Sequence, residues 1–252
     1  MTLTVLFAAL SGILMTLTYV VCPALSPWWR IPLWIGGYVV LGLVYLAIIV
    51  TLVRFAPPQR IRWAVHPTVA WIMLLLGYRI RYAGGEQLPT TPYLLVCNHR
   101  SAFDPLCVLA VSAQPTVFVA KPLVLRIPVI GTLMTRLGFM AIDRENARNA
   151  VTTIKQAAAR IRDEGLCVGI YPEGTRCKTA TMLPFHAGSF KIATLAACPV
   201  VVASIRYTKR GLWGKQVHLQ VVDVMDVDYV AANSTAALSQ RAREAIEGNL
   251  NA

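Results

Sequence analysis

The sequence predicts an α/β protein: a mainly parallel sheet flanked by helices, preceded by an apolar membrane helix hairpin. Three observations point there. From residue 93 onward, short apolar runs of strand length alternate with longer segments of helical periodicity, the pattern of a parallel sheet covered by helices. Before them lie two stretches without a charged side chain, Met1–Trp29 and Ile31–Val53, each able to supply the ~20 apolar residues of a spanning helix. Polar and basic residues then recur where the strands are expected to end, the edge at which open α/β sheets bind ligands. A chain of 252 residues can hold one substantial domain, and its excess apolar content, 56% hydrophobic against 14% charged, is concentrated at the front.

The first two runs form a hairpin turning around Cys22–Arg30, with Trp28, Trp29 and Trp34 placed like interfacial anchors. A cleavable signal peptide fits poorly, because no Lys or Arg precedes the first run. Only Arg30 lies in the connection, whereas Arg54, Arg60, Arg62, Arg79 and Arg81 follow the second run. The positive-inside tendency then leaves the remainder cytoplasmic, at a bacterial inner membrane, and a re-entrant pair within one leaflet is the other geometry open to the hairpin. Residues 1–58 are read as this anchor. The 16 apolar residues Trp63–Tyr78 are short for a span and assign 59–82 to an interfacial or packing helix. A turn-rich boundary at Ala83–Pro89 opens the α/β domain, 83–252.

Within that domain strands are expected at 93–97, 116–120, 139–142, 166–171, 200–206 and 217–223, the last two joined by a hairpin around Lys209–Gly214. Helices fit 105–113, 122–137, 146–163, 187–197 and 235–249, the third with Asn146 as N-cap and Gly165 as stop. The formal charge of +12 comes from basic residues dispersed along the chain. With two apolar runs beside them, they suit an anionic membrane surface rather than nucleic acid. Six cysteines without a Cys-x2-Cys spacing read as buried free thiols, with neither a zinc site nor a disulfide framework, and Cys177 neighbours a candidate site.

That site begins at Cys97-Asn98-His99-Arg100-Ser101-Ala102-Phe103-Asp104, where an apolar strand runs into a helix. On one continuous helix, five positions would set Asp104 about 140° from His99, so the two meet only if the chain turns between them. Brought together, Asp104 accepts from one imidazole nitrogen and leaves the other to take a proton. The same residues also suit a plain helix start, with Asp104 as N-cap before Pro105 or Ser101 and Asp104 as a capping box. Lys121 follows the second expected strand, Asp143-Arg144 the third, and Glu173-Gly174-Thr175-Arg176 the fourth, while Arg206 ends the fifth. Four basic residues at strand ends, with the His-Asp pair, suit an anion. Arg176 offers a planar fork for phosphate oxygens. Arg126, in a kinked basic element with Lys121 and Pro128, also reads as a solvated surface charge, and Glu173 can orient Arg176, bind a hydroxyl or cap a turn.

With these blocks in view, the chain resembles the phospholipid and glycerol acyltransferases, in particular the lysophosphatidic acid acyltransferases. Asn98–Asp104 is similar to their His-x4-Asp block, Lys121–Gly131 with Gly138–Arg144 to the second, Tyr171-Pro172-Glu173-Gly174-Thr175-Arg176 to the third, and Cys198-Pro199-Val200-Val201 to the fourth. The resemblance covers roughly residues 79–222. It implies the glycerol-3-phosphate acyltransferase-like fold and transfer of an acyl chain from acyl-CoA or an acyl carrier protein to the sn-2 hydroxyl of lysophosphatidic acid. His99 and Asp104 are the catalytic pair it implies. By the same resemblance Lys121, Arg144 and Arg176 would hold the acceptor phosphate, in a substrate-binding set that includes Arg126, Glu173, Gly174 and Thr175. A backbone N–H near the start of the helix after Asp104, or in the Gly174 turn, meets the oxyanion. No metal or organic cofactor is called for. The competing readings are another acceptor, glycerol 3-phosphate or a lyso-ornithine lipid; a metal phosphohydrolase built on His99, Asp104 and Glu173; and a lipid-binding protein without catalysis.

Overall fold

The computed structural model describes residues 2–251 apart from positions 22, 24, 25, 56, 128, 129, 143–146, 178, 180 and 211–213. The chain forms two compact units, Met1–Trp71 and Ile72–Ala252.

The first unit holds helices α1 (Thr2–Val21) and α2 (Pro27–Phe55) and most of α3 (Pro58–Leu75). The few polar groups in these apolar helices tie them together. Trp34 Nε1 donates to Thr18 Oγ1 at 2.8 Å, and the Arg30 guanidinium lies 4.0 Å over the Tyr19 ring while donating to the Pro23 carbonyl. The hydroxyls of Tyr45 and Thr68 share a 2.6 Å hydrogen bond between α2 and α3. Helices α1 and α2 thus pack against each other. Among the described residues, no helix is long and apolar enough to cross a membrane.

The second unit is a seven-stranded sheet: β1 (Tyr78–Ala83), β2 (Leu94–Cys97), β3 (Thr116–Ala120), β4 (Met140–Ala141), β5 (Cys167–Ile170), β6 (Val200–Arg210) and β7 (Gly214–Met225), in the order β1-β7-β6-β2-β5-β3-β4. All neighbouring pairs are parallel except the β6–β7 hairpin. The helices are α4 (Asp104–Leu109), α5 (Pro122–Leu125), α6 (Ile130–Leu137), α7 (Ala147–Glu164), α8 (Lys191–Ala196), α9 (Val227–Ala232) and α10 (Thr235–Asn251). β2 and β5 are buried at every position, as central parallel strands covered on both faces must be, which is why they read as unbroken apolar runs.

Three expectations are corrected. The helix expected over 122–137 is divided into α5 and α6, with Arg126 as the C-cap of α5, because Pro128 cannot continue a helix. The segment expected as helix up to residue 82 ends at Leu75, and Tyr78–Ala83 joins the sheet as β1, its alternating Tyr-Arg-Ile-Arg-Tyr being a strand pattern. β6 and β7 are longer than expected, and β6 runs seven residues past Ala203, the partner of the last residue of β2. The proposed Asn146 cap and the turn of the β6–β7 hairpin lie outside the described residues.

At Gly169 the backbone of β5 lies under the ring of its cross-strand partner Phe118, and a Cβ there would overlap that ring. Gly169→Val is therefore expected to lower stability by ~1–3 kcal/mol through overpacking, read as a fall in melting temperature. An unchanged melting temperature would show that the Phe118 ring is free to move.

Candidate active site

β2 delivers its chain to the sheet's carboxyl edge, and there the apolar run gives way to a turn. Asn98 is fully buried, and its side chain stands in for a strand pair: Nδ2 donates to the Ile205 carbonyl at 3.0 Å and Oδ1 accepts from the Ile205 N–H at 2.7 Å. β2 and β6 thereby stay joined one residue past the end of β2, and His99 is the first residue free to leave the sheet.

The chain then turns back on Asp104, a carboxylate with no exposed surface. Asp104 Oδ2 accepts from the Arg100 and Ser101 N–H groups at 2.7 and 2.8 Å and lies 2.8 Å from His99 Nδ1. A carboxylate only accepts, so Nδ1 is the donor and carries the ring proton. The helix N-cap is Phe103, not Asp104, and no side chain caps it. Asp104 is thus not the N-cap, and of the Ser101–Asp104 capping box only the Ser101 N–H bond to the carboxylate is formed, while the same oxygen orients the imidazole. Nε2 is left without a hydrogen-bond partner among the described residues, on a side chain 19% exposed.

The ring rests on an aromatic stack. Tyr171 lies parallel to His99 with centroids 4.3 Å apart, and Phe118 lies beneath Tyr171 at 5.6 Å. Burial pushes the Tyr171 hydroxyl well above its ordinary pKa, so the stack beneath the imidazole is uncharged. The backbone of His99 is fixed at both polar groups. Its N–H donates to Glu173 Oε1 at 2.7 Å, and its carbonyl accepts from the Cys177 N–H at 2.8 Å.

Glu173 is buried, and its second oxygen accepts from the Leu183 N–H at 3.1 Å. Of the three roles open to it in the sequence, the structure assigns it backbone capping. Gly174 follows in the left-handed region, φ 74°, closing the turn with its N–H on the Tyr171 carbonyl, a conformation that a side chain would strain. Thr175 and Arg176 are exposed and immediately precede Cys177, whose N–H meets the His99 carbonyl. Lys121 is exposed one residue past β3 and Arg126 lies at the far end of α5; neither has an acidic partner among the described residues. β2, β5 and β3 are parallel neighbours, so His99, Glu173–Arg176 and Lys121 share one edge, with Lys121 two strands, or ~10 Å, from His99. Arg144 lies outside the described residues. Arg206 does not belong with this set: it is mid-strand in β6, on the face opposite its neighbour Tyr207, which points at Asp104.

Tyr207, Tyr171 and Asn98 are the residues that motif spacing did not single out for these roles. Tyr207 donates to Asp104 Oδ1 at 2.5 Å and is the sole hydrogen-bond partner of that oxygen among the described residues. Burial raises its hydroxyl far beyond the neutral range, so it remains a donor. Its signal was the strand alternation in Ile205-Arg206-Tyr207, which puts a phenol on the inner face opposite two basic or polar positions. The five described cysteines are free and buried, and burial holds Cys107 and Cys167 up at about 11. Cys177, flagged for its position, donates its thiol to the Thr181 carbonyl at 2.8 Å and serves the loop.

Burial raises the Glu173 carboxyl above its ordinary pKa, against the lowering effect of the two N–H groups. The folded state therefore holds a proton that the unfolded chain has already released. The stability this contributes is complete below the unfolded value near pH 4 and is lost as pH rises through the raised folded value. Melting temperatures of wild type and Glu173→Gln should accordingly diverge in favour of the variant as pH rises across that window. A difference constant with pH would show that Glu173 does not titrate there.

The family model described as Acyltransferase matches residues 79–206. A 1-acyl-sn-glycerol-3-phosphate acyltransferase from Cocos nucifera is 34% identical over 136 residues, which is 54% of this chain but only 44% of the relative's length. One of the same description from Haemophilus influenzae is 28% identical over 220 residues, covering 82% of this chain and 87% of the relative. The crystal structure of the 1-acyl-sn-glycerophosphate (LPA) acyltransferase from Thermotoga maritima shares the fold, with a TM-score of 0.68 at 20% identity over 82% of this chain and 88% of that one. The matched span runs from β1 through the His99–Asp104 loop and the Glu173 turn into β6, half of the chain and the site apart from Tyr207, and the chain therefore belongs to the acyltransferase family.

Proposed function

We propose that this protein transfers a fatty acyl group from a thioester, acyl-CoA or acyl carrier protein, to the sn-2 hydroxyl of lysophosphatidic acid, giving phosphatidic acid. The observation that carries this is the His99–Asp104 pair. One ring nitrogen is committed to a buried carboxylate, and the other is unpartnered at a sheet edge that also bears exposed Lys121 and Arg176. The names of the relatives from Cocos nucifera and Haemophilus influenzae support the same acceptor.

In this mechanism His99 Nε2 takes the proton of the acceptor hydroxyl as its oxygen attacks the thioester carbonyl. Asp104 steadies the imidazolium that forms. The tetrahedral oxyanion collapses with cleavage of the C–S bond, and the departing thiolate takes the proton back from His99. Lys121, Arg144 and Arg176 hold the acceptor phosphate. Tyr207 fixes the free oxygen of Asp104, and Glu173 fixes the His99 backbone. The uncharged runs 1–29 and 31–53 support an anchor in a bacterial inner membrane, with the α/β unit on the cytoplasmic side.

Three experiments test this. Full-length protein assayed with acyl-CoA and acyl carrier protein donors against lysophosphatidic acid, glycerol 3-phosphate and a lyso-ornithine lipid, read by product mass, is expected to give phosphatidic acid. Product from a non-phosphorylated acceptor alone would reject the assignment. His99→Ala should abolish turnover while leaving melting temperature and membrane association intact. Tyr207→Phe removes one hydrogen bond to a carboxylate, worth ~1.5–3 kcal/mol, so kcat should fall ~10-fold or more with KM little changed. An unaltered kcat would take Tyr207 out of the mechanism.

A further inference from the structure

The sheet edge that carries His99 is bounded on both sides by exposed apolar residues. On one side, Leu123 of α5 is 72% exposed and Ile127 just beyond it is also exposed. They stand between the exposed cations Lys121 and Arg126. On the other side, Leu74, Leu75 and Leu76 lead into β1 and are exposed, Leu75 at 65%. They lie on the same edge because Tyr78 pairs with Lys215, and Lys215 with Lys209, six residues past the Ala203 that marks the end of β2. From β1 to β3 is five strand intervals, about 24 Å, and the His99 strand falls between the two outcrops.

Among the described residues, the exposed charge at this edge has one sign. Arg79, Lys121, Arg126, Arg176, Lys209 and Lys215 are exposed there, and none has an acidic partner among the described residues. Its described carboxylates are Asp104 and Glu173, both buried and fully hydrogen-bonded. Asp163 and Glu164 end the helix before β5, and Asp226 and Asp228 follow β7, which places all four at the opposite edge. Apolar side chains left bare between unpaired cations match one partner chemistry, the apolar and anionic boundary of a phospholipid leaflet.

We propose that the α/β unit itself docks on an anionic bilayer through this edge, with Leu123 and Ile127 on one flank and Leu74–Leu76 on the other, so that His99 opens toward the lipid. The proposal rests on the preceding reading only in taking the acceptor from a lipid surface. Helices α1 and α2 are not part of it.

The test uses full-length protein in vesicles of phosphatidylcholine and phosphatidylglycerol, with a photoreactive benzophenone amino acid placed singly at Leu123, Leu75, Leu195 or Val227. Leu195 and Val227 are also exposed apolar positions, on α8 and α9 next to the opposite edge. Lipid adducts at 123 and 75 are expected to exceed those at 195 and 227 by about tenfold or more. Equal labelling at all four positions, protein left in the aqueous fraction, or adducts at 75 alone would each overturn the proposal. The last would assign the contact to the end of α3 rather than to the sheet edge. A protein labelled as expected that transfers no acyl group from any donor keeps the docking surface and removes the acyl-transfer reading.

Discussion

The site depends on what gathers around the buried carboxylate of Asp104. Burying such a group without partners is costly, and here every approach is filled: two backbone N–H groups and the imidazole on Oδ2, a phenol on Oδ1. The loop between β2 and α4 has this shape because the carboxylate needs those donors. The imidazole is one of them, so its orientation is fixed by the same requirement that folds the loop. Tyr207 comes from a strand more than a hundred positions away, which joins the loop to the hairpin beyond β6.

A second restraint acts on the main chain. Glu173 and Cys177, from one turn after β5, hold the N–H and carbonyl of His99 from either side, and Tyr171 from the same turn lies under the ring. The Tyr-Pro-Glu-Gly-Thr-Arg segment is thus two things at once: a cradle for the histidine through its first three residues, and a presenter of Arg176 at the surface through its last. Gly174 makes this possible by turning the chain between them.

Much of this was legible in the sequence, because it is carried by local order. The His-x4-Asp spacing, the Glu-Gly-Thr-Arg turn and the apolar strand before each of them lie within a few residues of one another, so β2, β5 and the dyad could be read directly. Residues brought in by pairing between distant segments were harder to see. Tyr207 had no local mark beyond strand alternation, and Arg206 beside it was read as a strand end, whereas β6 continues past it. Likewise β1 looked like the polar end of an apolar helix, since its partner β7 lies far along the chain. Glu173 showed the limit of residue type alone: an acid in a motif suggests chemistry, yet burial among backbone donors gave it a structural task.

The pairing of β1 with β7 also sets an order of events during synthesis. The first strand of the sheet leaves the ribosome early and has no neighbour until the final hairpin follows, so the edge bearing Leu74–Leu76 and Arg79 stays open while β2, β3 and β5 assemble. A nascent chain in that interval presents an unpaired strand beside bare leucines, the kind of surface that aggregates or recruits a chaperone. Truncation within the last strand would leave the newborn protein in that vulnerable condition, with its histidine loop already in place.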